Sequence, residues 1–380
     1  MDDYLPPHPA LLPAGLRDLL PPDAQTEASA VESLMSVFAG HGFARVKPPM
    51  MEFEENLLAG AGAATAEQSF RLMDPDSHRM MALRVDMTPQ VARIAATRLA
   101  ATPRPLRLAY AGECIRTREK RETDRQVPQA GIELFGPDSA AADAETMLVA
   151  AEALAAIGLT RLSLDLTLPT FVPALLADAG FSAQTRQTLT HALDRKDAAS
   201  VAAHGGALAP MLKNLLLSAG PAPAALAALE QAALPAPARA LAERLAQVIS
   251  LLQTRAPKLK VTVDPVEFRG FRYHTGIAVT VFAPGRHEEL GRGGRYVATN
   301  GEPANGITLF ADAVLRAAPM PAERAKIFIP QGCDPERVSA LRHSGYITIA
   351  ALDSTDAEKE ARRLGCSHVL LEGAPHLLDT

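Results

Sequence analysis

The stretch RTREKRETDRQVPQAGIELFG, Arg116 to Gly136, sets a crowded charged run against an apolar segment that closes on Gly136 and Pro137. From Glu113 to Arg125 there are five cations (Arg116, Arg118, Lys120, Arg121, Arg125) and four carboxylates (Glu113, Glu119, Glu122, Asp124). Nearly balanced charge is poor for a polyanion, which is held by an excess of Lys and Arg. Taken alone, the run reads as the solvated, mobile loop of a hairpin. Its flanks, RPLRLAYAGECIR and QAGIELFG, read as two antiparallel strands. In the second flank Gln129 and Glu133 stand four apart, so both face one side of a strand. Upstream, LRVDMT brings Asp86 and Thr88 to the junction of a strand and a helix. There Thr88 is expected to cap the helix and Pro89 to take its first position. Asp86, Gln129 and Glu133 together would make a small acidic pocket suited to the ammonium of an amino acid, because charge-assisted hydrogen bonds are the strong ones.

Working outward, 380 residues at about 150 per domain predict two or three domains. A hydrophobic share of 48% and a charged share of 21% are ordinary for a soluble globular chain. A net charge of -5, no Trp and 4% aromatics argue against nucleic-acid binding, which draws on basic excess and stacking platforms. Cys114, Cys333 and Cys366 are odd in number and lack metal-ligand spacing, so neither a disulfide framework nor a metal site is expected. The start MDDYLPPHPALLPAG is acidic and proline-rich, unlike a signal peptide, and no apolar run reaches the roughly 18 residues of a membrane helix. A cytoplasmic location and no membrane partner are the expectation.

Elsewhere TEASAVESLMSVFAGHGF and SAAADAETMLVAAEALAAIG read as helices, and RLSLDLTL as a half-buried strand. Pro48 and Pro49 make ARVKPPMMEF an edge strand or a bend. From Pro169 to Pro257 the Ala- and Leu-rich chain predicts several short helices and no strand. KVTVDPVEFRGFRYHTGIAVTVFAPG returns to strands. GRGGR, Gly291 to Arg295, reads as a tight turn feeding a helix, or as an anion cradle built from backbone amides. After Ala325 a small α/β unit follows. The expected organisation is a discontinuous core of residues 1–168 and 258–322, a helical insertion 169–257 and a C-terminal unit 323–380. No P-loop, GxGxxG, HExxH or GxSxG motif is present.

The ordered segments LRVDMTPQVAR, YAGECIRTRE…RQVPQAGIELFG, FRGFRYHTGI and GGRY…GITLFADAVLR together resemble the histidyl-tRNA synthetase family. The resemblance implies an α+β, class II aminoacyl-tRNA synthetase-like fold: an antiparallel sheet flanked by helices, with a helical insertion and a small C-terminal α/β unit. It also shows departures. Arg116 stands at the family's hairpin Arg, but Arg118 replaces the Glu that meets adenine. Val127, followed by Pro128, replaces the stacking aromatic. Phe310 replaces a Gly, and Ala313 replaces the Arg that clamps ATP phosphate. Losing a guanidinium clamp and an aromatic platform removes the parts that grip ATP. Asp86, Thr88, Gln129, Glu133, Arg269 and Tyr273 match positions that hold histidine, whereas Arg272 and His274 depart. The resemblance leads to the expectation that the anticodon-binding domain is absent or reduced to the short C-terminal unit.

This pattern is similar to that of the ATP phosphoribosyltransferase regulatory subunits, paralogues of the synthetases. The resemblance implies a chain that is not itself an enzyme and carries no cofactor and no metal. It would activate a short-form catalytic subunit and mediate feedback inhibition by histidine in the first step of histidine biosynthesis. It would also pair with itself as a class II-type dimer, with VKPPMME near the interface, and bind no tRNA. The histidine ligands implied are Asp86, Thr88, Arg116, Gln129, Glu133, Arg269 and Tyr273. Two other readings stay open: a truncated synthetase-like enzyme that adenylates an amino acid, and a histidine-binding sensor with another partner.

Overall fold

The expected hairpin forms: Leu106–Ile115 and Gln126–Phe135 pair antiparallel, from Leu106 opposite Phe135 to Ile115 opposite Gln126. The computed structural model describes residues 11–117, 124–268, 273–319, 324–354 and 356–378. The hairpin belongs to a nine-stranded sheet. Its order is Ala44–Arg45, Leu106–Ile115, Gln126–Phe135, Pro303–Phe310, Glu289–Val297, His274–Phe282, Ser163–Thr167, Lys260–Asp264 and Gly220–Pro221. Two pairings are parallel, Ala44–Arg45 with Leu106–Ile115 and Ser163–Thr167 with Lys260–Asp264, and the rest are antiparallel.

Strand alternation gives the two faces different chemistry. Ala130, Ile132 and Leu134 join Ile307 and Leu309 on one face, packed with Leu34 and Phe38 of helix Asp23–Gly40 and Met147 and Leu154 of helix Ala140–Ala156. This is the main core. The opposite face carries Gln129, Glu133, Thr308 and Tyr296, bordered by Met87, Val91, Leu108 and Tyr110. Helix Thr88–Ala96 covers part of that face.

Several expectations change. Thr88 is the first helical residue and not the cap; Met87 precedes the helix without a side-chain cap bond, and Pro89 lies in the first turn. The Thr88 hydroxyl is committed to Glu133 instead. GRGGR is neither turn nor amide cradle: it lies within strand Glu289–Val297, paired on both sides. Glycine is required there by close approach, since a Cβ on Gly293 would fall 2.1 Å from the Gly306 carbonyl oxygen. Residues 169–257 hold six α-helices but also the short strand Gly220–Pro221, which joins the sheet edge against Lys260–Asp264. The two prolines do interrupt the VKPPMM segment: Ala44–Arg45 lies at the edge of the large sheet. Met51–Phe53 belongs to a separate three-stranded sheet with Met80–Leu83 at its centre and Arg71–Met73 beyond.

The chain divides into two compact units, Met1–Pro319 and Met320–Thr380. In the second, Lys326–Ile329 runs parallel to Ile347–Ala350 and His368–Leu371, and a further strand, Ala374–Leu377, pairs antiparallel with the last. Phe328, Ala361 and Val369 form one small core, and Ile327, Ile329 and Leu370 another. Among the described residues no helix is long and apolar enough to cross a membrane.

Candidate functional site

The polar face of the sheet assembles a buried cluster around Glu133, which is 1% exposed. One carboxyl oxygen accepts from the Thr88 hydroxyl at 2.8 Å, the other from the Tyr296 hydroxyl at 2.9 Å. The Tyr110 hydroxyl lies 3.2 Å from the Thr88 hydroxyl and 2.8 Å from that of Thr308. The carboxyl lies flat across the next strand: Gly306 stands opposite Glu133, and a Cβ there would fall 2.0 Å from the carboxyl oxygen Oε2. Gln129, also 1% exposed, accepts at Oε1 from the Met87 amide at 3.2 Å and the Cys114 thiol at 3.3 Å. Those bonds fix the amide's orientation and leave Nε2 buried without a partner. A buried unpaired donor costs free energy that a ligand acceptor would recover. Asp86, half-buried, accepts from the Thr88 amide at 3.1 Å. The Tyr273 ring stands 5.9 Å edge-on from that of Tyr296 and 4.4 Å from the His274 ring.

Burial pushes the Glu133 carboxyl up to about 8; the charge of Asp86 adds to this, and the surrounding hydroxyls oppose it. The pocket is therefore less acidic than two ionised carboxylates would make it, because Glu133 keeps a proton at neutral pH. Burial, with Arg292 nearby, pushes His274 down to about 4, so its ring is neutral. Burial also raises the phenols of Tyr110, Tyr273 and Tyr296, which stay protonated as donors. The cluster is thus a set of neutral donors and acceptors with the Asp86 carboxylate at its rim.

Beside it on the hairpin side lies a cleft of about 620 Å³, lined by Arg116, Val127, Arg292, Phe310, Ala313 and Arg316 among others. Its guanidiniums are engaged. Arg316 pairs with both oxygens of Glu288 and, at 2.9 Å, with Asp312. Arg292 pairs with Glu289 at 2.7 Å and lies 5.3 Å over the Phe310 ring. Arg116 donates to the Val85 carbonyl at 3.3 Å. Among the described residues the lining holds Arg116, Arg292 and Arg316 against four carboxylates, Asp124, Glu288, Glu289 and Asp312. A polyphosphate needs an excess of positive charge, and this wall supplies none.

The structure thus brings Asp86, Thr88, Gln129, Glu133 and Tyr273 into one cluster and puts Arg116 in the wall of the cleft. Arg269 and Arg272, like residues 118–123 of the charged run, lie outside the described residues. Tyr110, Tyr296 and Thr308 were not singled out from sequence. Their signal was parity: once the registers are known, Tyr110 and Thr308 flank Gly131, and Tyr296 shares the face of Glu133.

A family model for histidyl-tRNA synthetase matches residues 15–314. The ATP phosphoribosyltransferase regulatory subunit of Paramagnetospirillum magneticum is 54% identical over 363 residues, 95% of this chain and 96% of that relative. The protein of the same description from Gluconobacter oxydans is 50% identical over 370 residues, 97% of each chain. A solved structure described as an ATP phosphoribosyltransferase regulatory subunit/histidyl-tRNA synthetase from Bacillus halodurans superposes with a TM-score of 0.80. Its sequence is 22% identical, and the match covers 94% of this chain and 97% of that one. Histidyl-tRNA synthetase from Nostoc sp. gives 0.78 at 18% identity, covering 95% and 91%. At those identities the structural likeness establishes the fold.

Proposed function

Because this chain belongs to the histidyl-tRNA synthetase-like family of ATP phosphoribosyltransferase regulatory subunits, we propose that it is the non-catalytic half of such a complex and the receiver of its feedback signal. The catalytic partner is a short-form transferase that moves the phosphoribosyl group of phosphoribosyl pyrophosphate to ATP, opening histidine biosynthesis. This chain activates it, and histidine reverses the activation.

The observation that carries this reading is the contrast between two neighbouring parts of one face. The amino-acid cluster keeps Asp86, Thr88, Gln129, Glu133 and Tyr273 together, with a spare buried donor on Gln129. The neighbouring cleft has Val127 and Ala313 where an aromatic and a phosphate-clamping Arg would be needed, and its Arg292 and Arg316 are paired with carboxylates. A protein that holds histidine without activating it suits a sensor. For histidine to act it must favour one state of the complex by about 1–3 kcal/mol, the usual range of allosteric coupling. Arg116 and Arg269 complete the ligand set in this reading. Self-association runs through the class II core near the VKPPMME segment, Val46 to Glu52. Residues 1–168 with 258–322 form that core, 169–257 an insertion and 323–380 a separate unit. A reducing cytoplasm fits the three free cysteines.

The test mixes this chain with a short-form catalytic subunit from the same source and follows phosphoribosyl-ATP formation with and without histidine. A rate increase on mixing that histidine cancels is expected. Arg116 in the cleft wall favours a second reading, residual amino-acid adenylation. Histidine-dependent exchange of pyrophosphate into ATP by this chain alone would establish that reading instead.

A further inference from the structure

The segment Pro48–Met50 is held in an unusual way. Pro48 and Pro49 have no amide hydrogen, so this stretch can be anchored mainly through its carbonyl oxygens. Three consecutive carbonyls are taken by residues of the amino-acid loop and its helix. The Pro48 oxygen accepts from Arg84 Nη1 at 3.2 Å, the Pro49 oxygen from Gln90 Nε2 at 2.8 Å, and the Met50 oxygen from the Arg84 amide at 3.1 Å. Gln90 Nε2 also reaches Glu52 Oε1 at 2.9 Å, and Arg93 Nε holds Glu52 Oε2 at 2.8 Å.

Arg84 is 5% exposed and Gln90 1%. Buried guanidiniums are usually paired with carboxylates. Among the described residues Arg84 forms no ion pair and spends its hydrogen bonds on main chain. Its Nε donates to the Glu113 carbonyl at 2.6 Å, and its own carbonyl accepts from the Ile115 amide at 2.9 Å. A Cβ on Gly112 would fall 2.5 Å from its Nη2, so the hairpin strand leaves room for it. One side chain therefore joins three segments: the hairpin strand, the Pro48–Met50 segment, and the loop that carries Asp86 and Thr88.

From this we infer that Arg84 and Gln90 are positioning residues of the amino-acid site, fixing the Asp86–Thr88 loop to the Pro48–Met50 segment so that a ligand held by Asp86 and Thr88 also orders that segment. The inference rests on the amino-acid reading of the site. It adds to it a physical connection from the site to the Pro48–Met50 segment. A ligand that tightens the start of helix Thr88–Ala96 removes slack from Gln90, in the same first turn, and hence from the Pro49 carbonyl. Coupling of this kind is established only when both ends are seen to respond.

Hydrogen–deuterium exchange on the full chain, with and without saturating histidine, follows two regions: residues 84–92 and residues 46–54. Wild type is expected to gain protection in both. Gln90→Met, and separately Arg84→Lys, which keeps the charge but loses the fork, should keep the gain at 84–92 and lose it at 46–54. No response at 84–92 in wild type would remove the amino-acid site itself. A response at 84–92 without one at 46–54 in wild type, or an equal response at both in the variants, would overturn the coupling and leave the site standing. The wild-type comparison decides the matter even if a variant does not fold.

Discussion

If histidine binds at the proposed site, Glu133 sets its pH behaviour. A carboxyl with a pKa of about 8 is protonated at neutral pH. An incoming ammonium ion favours the carboxylate, so binding releases a proton. Histidine affinity should therefore climb between about pH 6.5 and 8, by up to about tenfold per unit, and flatten above. Titration calorimetry on wild type and Glu133→Gln tests this: the climb belongs to Glu133 only if the variant lacks it. The same shift affects stability. The folded pKa lies above the unfolded value of 4.5, so the contribution of Glu133 is fully present below about 4.5 and is lost as pH rises towards 8. His274 has the opposite slope. Its folded value of about 4 lies below 6.5, so its contribution grows as pH rises between the two and is complete above. The melting temperature of Glu133→Gln, relative to wild type, should accordingly rise from about pH 4.5 to about pH 8, the window in which the unfolded wild-type carboxyl is ionised and the folded one is not.

Between elements, the heaviest single dependence falls on Asp143, 1% exposed in helix Ala140–Ala156. Its Oδ1 accepts from Arg295 Nε at 2.7 Å and Asn305 Nδ2 at 3.1 Å, and its Oδ2 from Arg244 Nε at 2.6 Å. The carboxylate thus fastens its own helix to two central strands and to helix Ala236–Arg255. Removing one partner of a buried pair strands the other, so Asp143→Ala should cost about 3–5 kcal/mol in urea unfolding. A loss below about 1 kcal/mol would mean that water reaches the pair. In sequence Asp143 looks like an ordinary first-turn acid, because its partner Arg295 is 152 positions away. The hairpin was legible because two strand-like flanks meet across one charged run, and Gln129 and Glu133 followed from their four-residue spacing in the second flank. GRGGR was not, because the reason for its glycines lies on the neighbouring strand, where the Gly306 carbonyl approaches Gly293. Thr88 was misplaced as a cap for the same reason: the acceptor of its hydroxyl, Glu133, is 45 positions on.

At the scale of the whole molecule, the chain keeps the site and its small C-terminal unit in separate compact bodies. All five described cluster residues, the cleft and the Arg84–Gln90 clamp belong to Met1–Pro319. The departures at Val127 and Ala313 were read from the sequence, and both residues line the cleft. The carboxylates that now occupy the arginines of the cleft were not, since Glu288 and Arg316 meet only in the fold. Met320–Thr380 has two small apolar clusters, about Phe328 and Ile327, on either side of a four-stranded sheet. A core of that size supports only a few kcal/mol, roughly 3–5. It follows that a chain ended after Pro319 should fold, since it retains the main core, and should bind histidine within about threefold of the full chain, a difference under 1 kcal/mol. Calorimetry on the truncated and full chains makes the comparison, and the mixing assay on the same pair asks where the C-terminal unit acts. Retained histidine binding with lost activation would assign that unit to the catalytic partner. Lost histidine binding in a truncated chain that still melts cooperatively would instead mean that the site depends on Met320–Thr380, against the division of labour drawn from its residues.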